Sequence, residues 1–355
     1  MMSLHKLTAG DGYTYLTRQV AAQDATHRGY DGLGDYYAQK GESPGVWTGA
    51  GLAGLSSMID PALVAAVGAA AQGRPVSEAQ MRALFGEGIH PDAEQVRDAL
   101  RAAGHGEPAV LSATRLGQPF HVYSGVNEFR RRAAAGFEAW NAERGLPRDW
   151  PVPAEERARI RTAIAGDMFI EQYDRPPADA RELSGFLARA SRQATTAVAG
   201  YDLTFSPVKS VSTLWALAPI DVARAIEQAH HDAVTDTLAW LEQRATYTRT
   251  GHRSAQQIDV HGLIAAAFTH RDSRAGDPDL HTHVAISNKV QALDGRWLAL
   301  DGRPLYKFTV SASERYNTRL EALLVARLGV TFAERTGVDA GKRPVREIVG
   351  IDGRL

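Results

Sequence analysis

The chain has no cysteine, which excludes disulfides, thiolate zinc sites and cysteine nucleophiles and leaves His, Asp and Glu to hold any metal. No stretch approaches the ~18 consecutive apolar residues of a membrane span, and Met1-Met2-Ser3-Leu4-His5-Lys6 lacks the apolar run of a signal peptide. The expectation is a cytoplasmic protein with no membrane insertion. Lys and Arg number 40 against 41 Asp and Glu, a net charge of −1; this excludes a uniformly basic coat but permits a local basic groove. The phosphate-loop pattern G-x-x-x-x-G-K-[ST] is also absent, so nothing here signals a P-loop nucleotide-driven motor. What is present is 355 residues, 44% of them apolar, enough for one large domain or two ordinary ones with a real core.

Local patterns divide the chain into four stretches. Residues 1–55 hold a short strand, Leu4 to Leu7, followed by a Gly-rich region with Tyr13, Tyr15, Tyr30, Tyr36 and Tyr37. Residues 56–196 read as a largely helical insertion, with a capping box at Ser77 and Gln80, a cap at Asp92, and amphipathic helices over 127–144 and 154–170. Its Arg130-Arg131-Arg132 run is either a DNA contact or, by the commoner reading, a solvated helix face. Residues 197–310 carry strand character at Tyr201 to Thr213, a helix at Asp221 to Gln243, and strands at Gln257 to Thr269 and Leu280 to Leu293. In 311–355, Ser311 and Glu314 suggest a capping box opening a helix that runs to Arg327 and ends at Gly329.

The most informative spacing is His270-x(10)-His281-Thr-His283. Residues two apart on a strand share a face, so His281 and His283 present adjacent imidazoles while Val284 and Ile286 face the other way. His270 ends the preceding strand, and Gly276-Asp277-Pro278 is a turn signal that returns the chain antiparallel beside it. Three imidazoles then converge. Three neutral ligands leave a divalent cation its full charge and open positions, which suits a phosphate oxygen.

A phenol can leave a stable phosphodiester on a protein, but with pKa about 10 it needs a nearby cation or base. Asp202 opens Asp202-Leu-Thr-Phe-Ser206-Pro-Val-Lys209-Ser-Val-Ser212, where Leu203 and Phe205 alternate with Thr204 and Ser206. A carboxylate there can orient a metal-bound imidazole or accept a tyrosine proton. Ser206, Lys209 and Ser210 are candidate phosphate contacts, and Trp47 a candidate base-stacking aromatic.

Taken together, the histidine spacing, the Asp202 block and Gly34-Asp-Tyr36-Tyr37-Ala-Gln-Lys-Gly-Glu-Ser-Pro-Gly-Val-Trp47 resemble the TrwC/TraI-type (MobF) conjugative relaxases, within the HUH endonucleases. The likeness runs weakly through Asp294-Gly-Arg-Trp297 to the end and omits about 106–195. It implies an α+β fold with an antiparallel palm bearing the three histidines, here interrupted by the helical insertion. It also implies a divalent cation, Mg²⁺ or Mn²⁺, and single-stranded or hairpin DNA at a plasmid origin of transfer. Accessory relaxosome proteins and a type IV secretion coupling protein are the implied partners. Asp202 matches the carboxylate that supports the metal site, Arg274 an arginine near the scissile phosphate, and Tyr36-Tyr37 the second of two tyrosine pairs. The first pair departs from the family pattern: Tyr13-Thr14-Tyr15 replaces adjacent tyrosines, with Tyr13 the favoured initiator and Tyr15 the alternative. The rival expectations are a rolling-circle replication initiator of the same chemistry, a non-catalytic DNA-binding accessory module, and a hydrolase of small phosphoesters.

Overall fold

The computed structural model describes residues 1–17, 45–58, 70–121, 128–190, 196–273, 277–335 and 344–351. Tyr30, Tyr36, Tyr37 and Arg274 lie outside them. The described residues form two compact units: residues 1–121 with 197–355, and residues 122–196. No helix in them is long and apolar enough to cross a membrane.

The larger unit is built on a five-stranded sheet made of β1 (Met2–Thr8), β2 (Val46–Thr48), β3 (Val198–Phe205), and, further along the chain, the strands Ala265–Asp272 and Pro278–Ser287. Between β3 and those two lie the short strands β4 (Tyr247–Thr250) and β5 (Gln256–Asp259), so they are β6 and β7. The order across the sheet is β1-β3-β7-β6-β2, and every pairing in it is antiparallel. The central strand β7 is therefore flanked by β3 and β6, the three strands that carry Asp202 and the histidines. This is the expected α+β class with an antiparallel palm.

Both faces of the sheet are covered, and alternation along each strand decides what each face does. On one face Leu203, Phe205, Leu280, Val284 and Ile286 pack against the long helices Ile220–Ala245 and Gly302–Leu328 through Ile226, Ala229, Ala233, Tyr316 and Leu320. On the other face Ala199, Ala266, Phe268 and Ala285 join Leu7, Tyr13, Leu16, Trp47 and Phe85 in a second core. Following β6 along that face, Ala266 and Phe268 are in this core and the next residue on the face is His270. Burying the strand to within one pleat of the histidine fixes which way the imidazole points.

In the smaller unit the helices Glu128–Ala142, Ala154–Tyr173 and Ala180–Ala190 close on Phe129, Ala165, Phe169 and Phe186. Arg131 and Arg132 pair with Glu128, and Arg132 also reaches Glu171; these arginines neutralise their own helices rather than forming a free basic run.

Several element boundaries differ from the sequence reading. The stretch Tyr201 to Thr213 is strand only to Phe205; after Ser206-Pro207 the chain enters the helix Lys209–Leu217, which buries Val211 and Trp215 four residues apart. Gln257 to Thr269 is two strands split at Gly262, whose φ of 134° only glycine adopts readily. Leu280 to Leu293 likewise divides, Pro278–Ser287 staying in the sheet and Lys289–Gln291 pairing with Trp297–Ala299 in a hairpin. The final long helix starts at Gly302, capped by the Asp301 side chain accepting from the Arg303 amide, so Ser311 is mid-helix. Pro304 in its first turn costs nothing because no intrahelical N–H is needed there. Gly329 ends it in the left-handed region, as expected.

Candidate metal and tyrosine site

His270 and His281 are direct cross-strand partners, and Phe268 pairs with His283, so the three imidazoles occupy neighbouring positions on one face of β6 and β7. Their ring centroids are 5.1–5.2 Å apart. One ligand nitrogen from each lies within 4.8 Å of the others, so a small inward shift of the rings lets one ion bridge them with metal–nitrogen bonds of about 2.0–2.1 Å.

Each ring also has one nitrogen committed to a protein acceptor. His281 Nδ1 is 2.7 Å from the Asp279 carbonyl, which can only accept. His283 Nδ1 is 2.8 Å from Asp202 Oδ2 and 3.1 Å from Thr204 Oγ1. His270 is held by the Leu16 carbonyl. Donating one N–H fixes the tautomer and leaves the other nitrogen with a lone pair, the arrangement of metal-ligating histidines. Burial, followed by the charges of the other two rings, pushes His270 down to about 3, and burial also lowers His281. His270 therefore stays neutral well below pH 7, and the His281 shift acts in the same direction, so protons compete weakly for the ligand positions. The residues present fit a divalent cation.

Asp202 sits on β3 directly beside this cluster, 2% exposed. Its Oδ2 accepts from His283 and, at 2.5 Å, from the Tyr15 hydroxyl; its buried Oδ1 has no hydrogen-bond partner among the described residues. The Tyr15 ring meets His283 edge-on at 5.8 Å. Burial of the hydroxyl end and the Asp202 charge raise the Tyr15 phenol well above its ordinary value.

Tyr13, the tyrosine the sequence favours, lies away from the histidines. It is 3% exposed in the second core, and its hydroxyl donates to Glu78 at 3.0 Å. After β1 the chain turns at Gly10, φ 80°, and at Gly12, where a Cβ would collide with the Thr8 carbonyl; residues 14–17 are then helical. Two residues along such a turn is a rotation of about 200°, so Tyr13 faces the core and Tyr15 the histidines. Trp47 is likewise not a stacking platform: it is fully buried, with Nε1 on Gln80. Ser210 is buried against Glu347 and the Ile348 amide rather than open to phosphate, while Lys209 reaches the Pro278 carbonyl. The positions of Leu16, Asp279 and Thr204 at the site had no signal in the sequence, two of them because they act through backbone carbonyls.

The multifunctional conjugation protein TraI of Escherichia coli is 28% identical over 227 residues, 58% of this chain and 12% of that protein. TraI of strain K12 is 28% identical over 151 residues, 42% of this chain and 8% of that one. The chain therefore spans a small part of the curated relatives it matches. Among solved structures, conjugative relaxase TrwC in complex with oriT DNA, copper-bound, is 22% identical with a TM-score of 0.49, covering 99% of this chain and 77% of its own. A metal-bound TrwC complex with oriT DNA is 28% identical with a TM-score of 0.38, covering 63% and 73%. The profile of the TrwC relaxase family extends from residue 9 to residue 355, through Tyr15, Asp202 and all three histidines, and the chain belongs to that family.

Proposed function

We propose that this chain nicks and rejoins one DNA strand at a plasmid origin of transfer through a covalent 5′-phosphotyrosine, and so initiates conjugative transfer. The observation that carries the reading is the contact of the Tyr15 hydroxyl with Asp202, whose same oxygen holds one of three converging imidazoles.

His270, His281 and His283 would hold a divalent cation, Mg²⁺ or Mn²⁺, which when bound supplies Lewis acidity toward an anionic phosphate oxygen. Tyr15 is the initiating nucleophile. Its proton passes to Asp202 Oδ2, the acceptor already in contact, as the phenol oxygen bonds to phosphorus and the bond to the 3′ oxygen breaks, the departing 3′ oxygen taking a proton from water. The products are a 3′-hydroxyl and a 5′-phosphotyrosine of energy close to the phosphodiester consumed, so the step reverses without ATP. Asp202 has a second duty, holding the His283 ring by Nδ1. The resemblance to the family extends the proposal to Tyr36 and Tyr37 for the second strand transfer and to Arg274 near the scissile phosphate. The substrate is single-stranded or hairpin origin DNA, and the setting is the cytoplasm with relaxosome proteins and a type IV secretion coupling protein.

The test is a denaturing gel of the protein with labelled single-stranded origin oligonucleotides and Mn²⁺. A slow-migrating covalent adduct is expected for the parent and for Tyr13→Phe, and none for Tyr15→Phe or after EDTA. Cleavage without an adduct would replace tyrosine by water as the nucleophile, and loss of the adduct in Tyr13→Phe alone would return the role to Tyr13.

A further inference from the structure

The reverse side of the histidine-bearing strands holds a second polar cluster. On β6 and β7 the residues that alternate with the three histidines are Thr269 and Arg271, on either side of His270, and Thr282, between His281 and His283. Alternation turns these three to the opposite face of the sheet, where the helix Ile220–Ala245 runs. Each meets a side chain from that helix. His230 Nε2 lies 2.7 Å from Thr282 Oγ1, His231 Nε2 lies 3.0 Å from Thr269 Oγ1, and Arg271 pairs with Glu227 through Nε at 3.1 Å and Nη2 at 3.4 Å. Glu227, His230 and His231 are spaced i, i+3, i+4 and so share one stripe of the helix.

The contacts are joined to one another. Thr269 and Thr282 are cross-strand partners whose hydroxyls are 2.9 Å apart, and His230 Nδ1 is 2.7 Å from the hydroxyl of buried Tyr316. His230 is fully buried, which holds its ring neutral, so it has one donor and one acceptor. The series Tyr316–His230–Thr282–Thr269–His231 is then satisfied when every hydrogen bond points the same way along it, in either direction, and a break at one hydroxyl leaves a buried group unmatched.

We propose that Glu227, His230 and His231 are positioning residues for the metal site: through Thr269, Arg271 and Thr282 they clamp the two strands at the residues beside each ligand histidine and so set the spacing of the three imidazoles. This rests on the reading that those histidines bind a cation. A polar cluster is suited to the task because hydrogen bonds hold strand position and rotation directionally, whereas methyl contacts tolerate sliding, and metal sites require ligand distances good to about 0.2 Å.

The experiment titrates the metal-free protein with Co²⁺, reading affinity by calorimetry and ligand geometry by the visible d–d spectrum, with thermal unfolding of the metal-free protein alongside. The parent is expected to bind one Co²⁺ that His283→Ala removes. Thr282→Val, an isosteric loss of one hydroxyl, is expected to weaken binding by about tenfold or more and to shift the d–d bands, while Thr282→Ser restores both. Thr269→Val, at the less buried end of the series, is expected to act in the same direction and decides the matter if Thr282→Val does not fold. Folded valine variants with parental affinity and spectrum would overturn the clamp alone. A parent that takes up no Co²⁺ would overturn the metal reading, and the clamp with it.

Discussion

Replacing Asp202 by asparagine should cost the site its metal by switching a histidine tautomer, and the direction follows from one unpartnered oxygen. In the native site Oδ2 accepts from Tyr15 and His283, while Oδ1 is buried with no hydrogen-bond partner among the described residues. An asparagine has two placements. With its oxygen at the Oδ2 position, the NH₂ group occupies the Oδ1 position, where two N–H donors find no acceptor, at a cost of about 1–3 kcal/mol. With its NH₂ at the Oδ2 position, both hydrogens are used, on the Tyr15 oxygen and on His283 Nδ1, and the buried oxygen is no worse off than Oδ1 was. The second placement wins. His283 Nδ1 must then accept, so Nε2 carries the proton and loses the lone pair a cation needs. Orienting partners of ligand histidines are worth about 10–100-fold in metal affinity, or roughly 1.4–2.7 kcal/mol. Calorimetric titration of metal-free Asp202→Asn with Mn²⁺ should show that loss, and long-range ¹⁵N–¹H spectra of the imidazoles should show the His283 tautomer exchanged. Unchanged Mn²⁺ affinity with an unchanged tautomer would refute the reasoning.

Other substitutions separate the structural residues from the chemical ones. Tyr13→Phe removes one hydrogen bond to the exposed Glu78 and should cost about 1 kcal/mol, a fall of roughly 2–4 °C in melting temperature, with adduct formation intact. Tyr15→Phe removes a hydrogen bond to the buried Asp202 carboxylate and should cost about 1–3 kcal/mol, while abolishing the adduct. Gly200→Ala should destabilise by about 3 kcal/mol, since a Cβ on β3 would lie 2.0 Å from the Ile286 carbonyl oxygen of β7; denaturant unfolding measures it. Lys289 is buried with its ammonium on the Gln118 carbonyl and over the Phe120 ring, and burial pushes its pKa down to about 8. Between that value and the unfolded value near 10.5 the unfolded chain binds more protons, so stability should rise with pH through this window. Lys289→Met should flatten the rise, as followed by denaturant unfolding at pH 7.5 and pH 10.

The histidine cluster was legible because its signal is short-range and periodic. His281 and His283 share a face by strand alternation alone, and the turn signal before them fixes His270 as the cross-strand neighbour of His281. Strand ends were less legible where the apolar pattern continues through a change of element. Val211 and Trp215 extend the apolar character of β3 but are buried from a helix, and the sequence distinguishes the two only by the Ser206-Pro207 break and the four-residue spacing that follows. The start of the last helix was misplaced for the opposite reason. Ser311 and Glu314 satisfy a capping pattern locally, but Asp301 caps the helix ten residues earlier and Leu305, Ala312 and Tyr316 already lie on its buried side.

The tyrosine assignment depended on a quantity the sequence does not display, the phase of one turn. Tyr13 and Tyr15 have the same side chain, nearly the same sequence position and the same glycine-rich surroundings, so composition and spacing treat them alike. What separates them is the hydrogen-bonded turn from Asp11 to Thr14, which begins the helical residues at a point that sends Tyr13 toward Glu78 and Tyr15 toward Asp202. The same limit hid His230. It falls in register with Ile226, Ala229 and Ala233 on the buried stripe of its helix, where spacing alone makes it one more core residue. Only the pairing of β6 with β7, formed by residues some forty to fifty positions later, supplies Thr269 and Thr282 as its hydrogen-bonded surroundings. A histidine on an apolar helical face thus acquires a chemical meaning only once the strand opposite it is known to carry ligands on its other side.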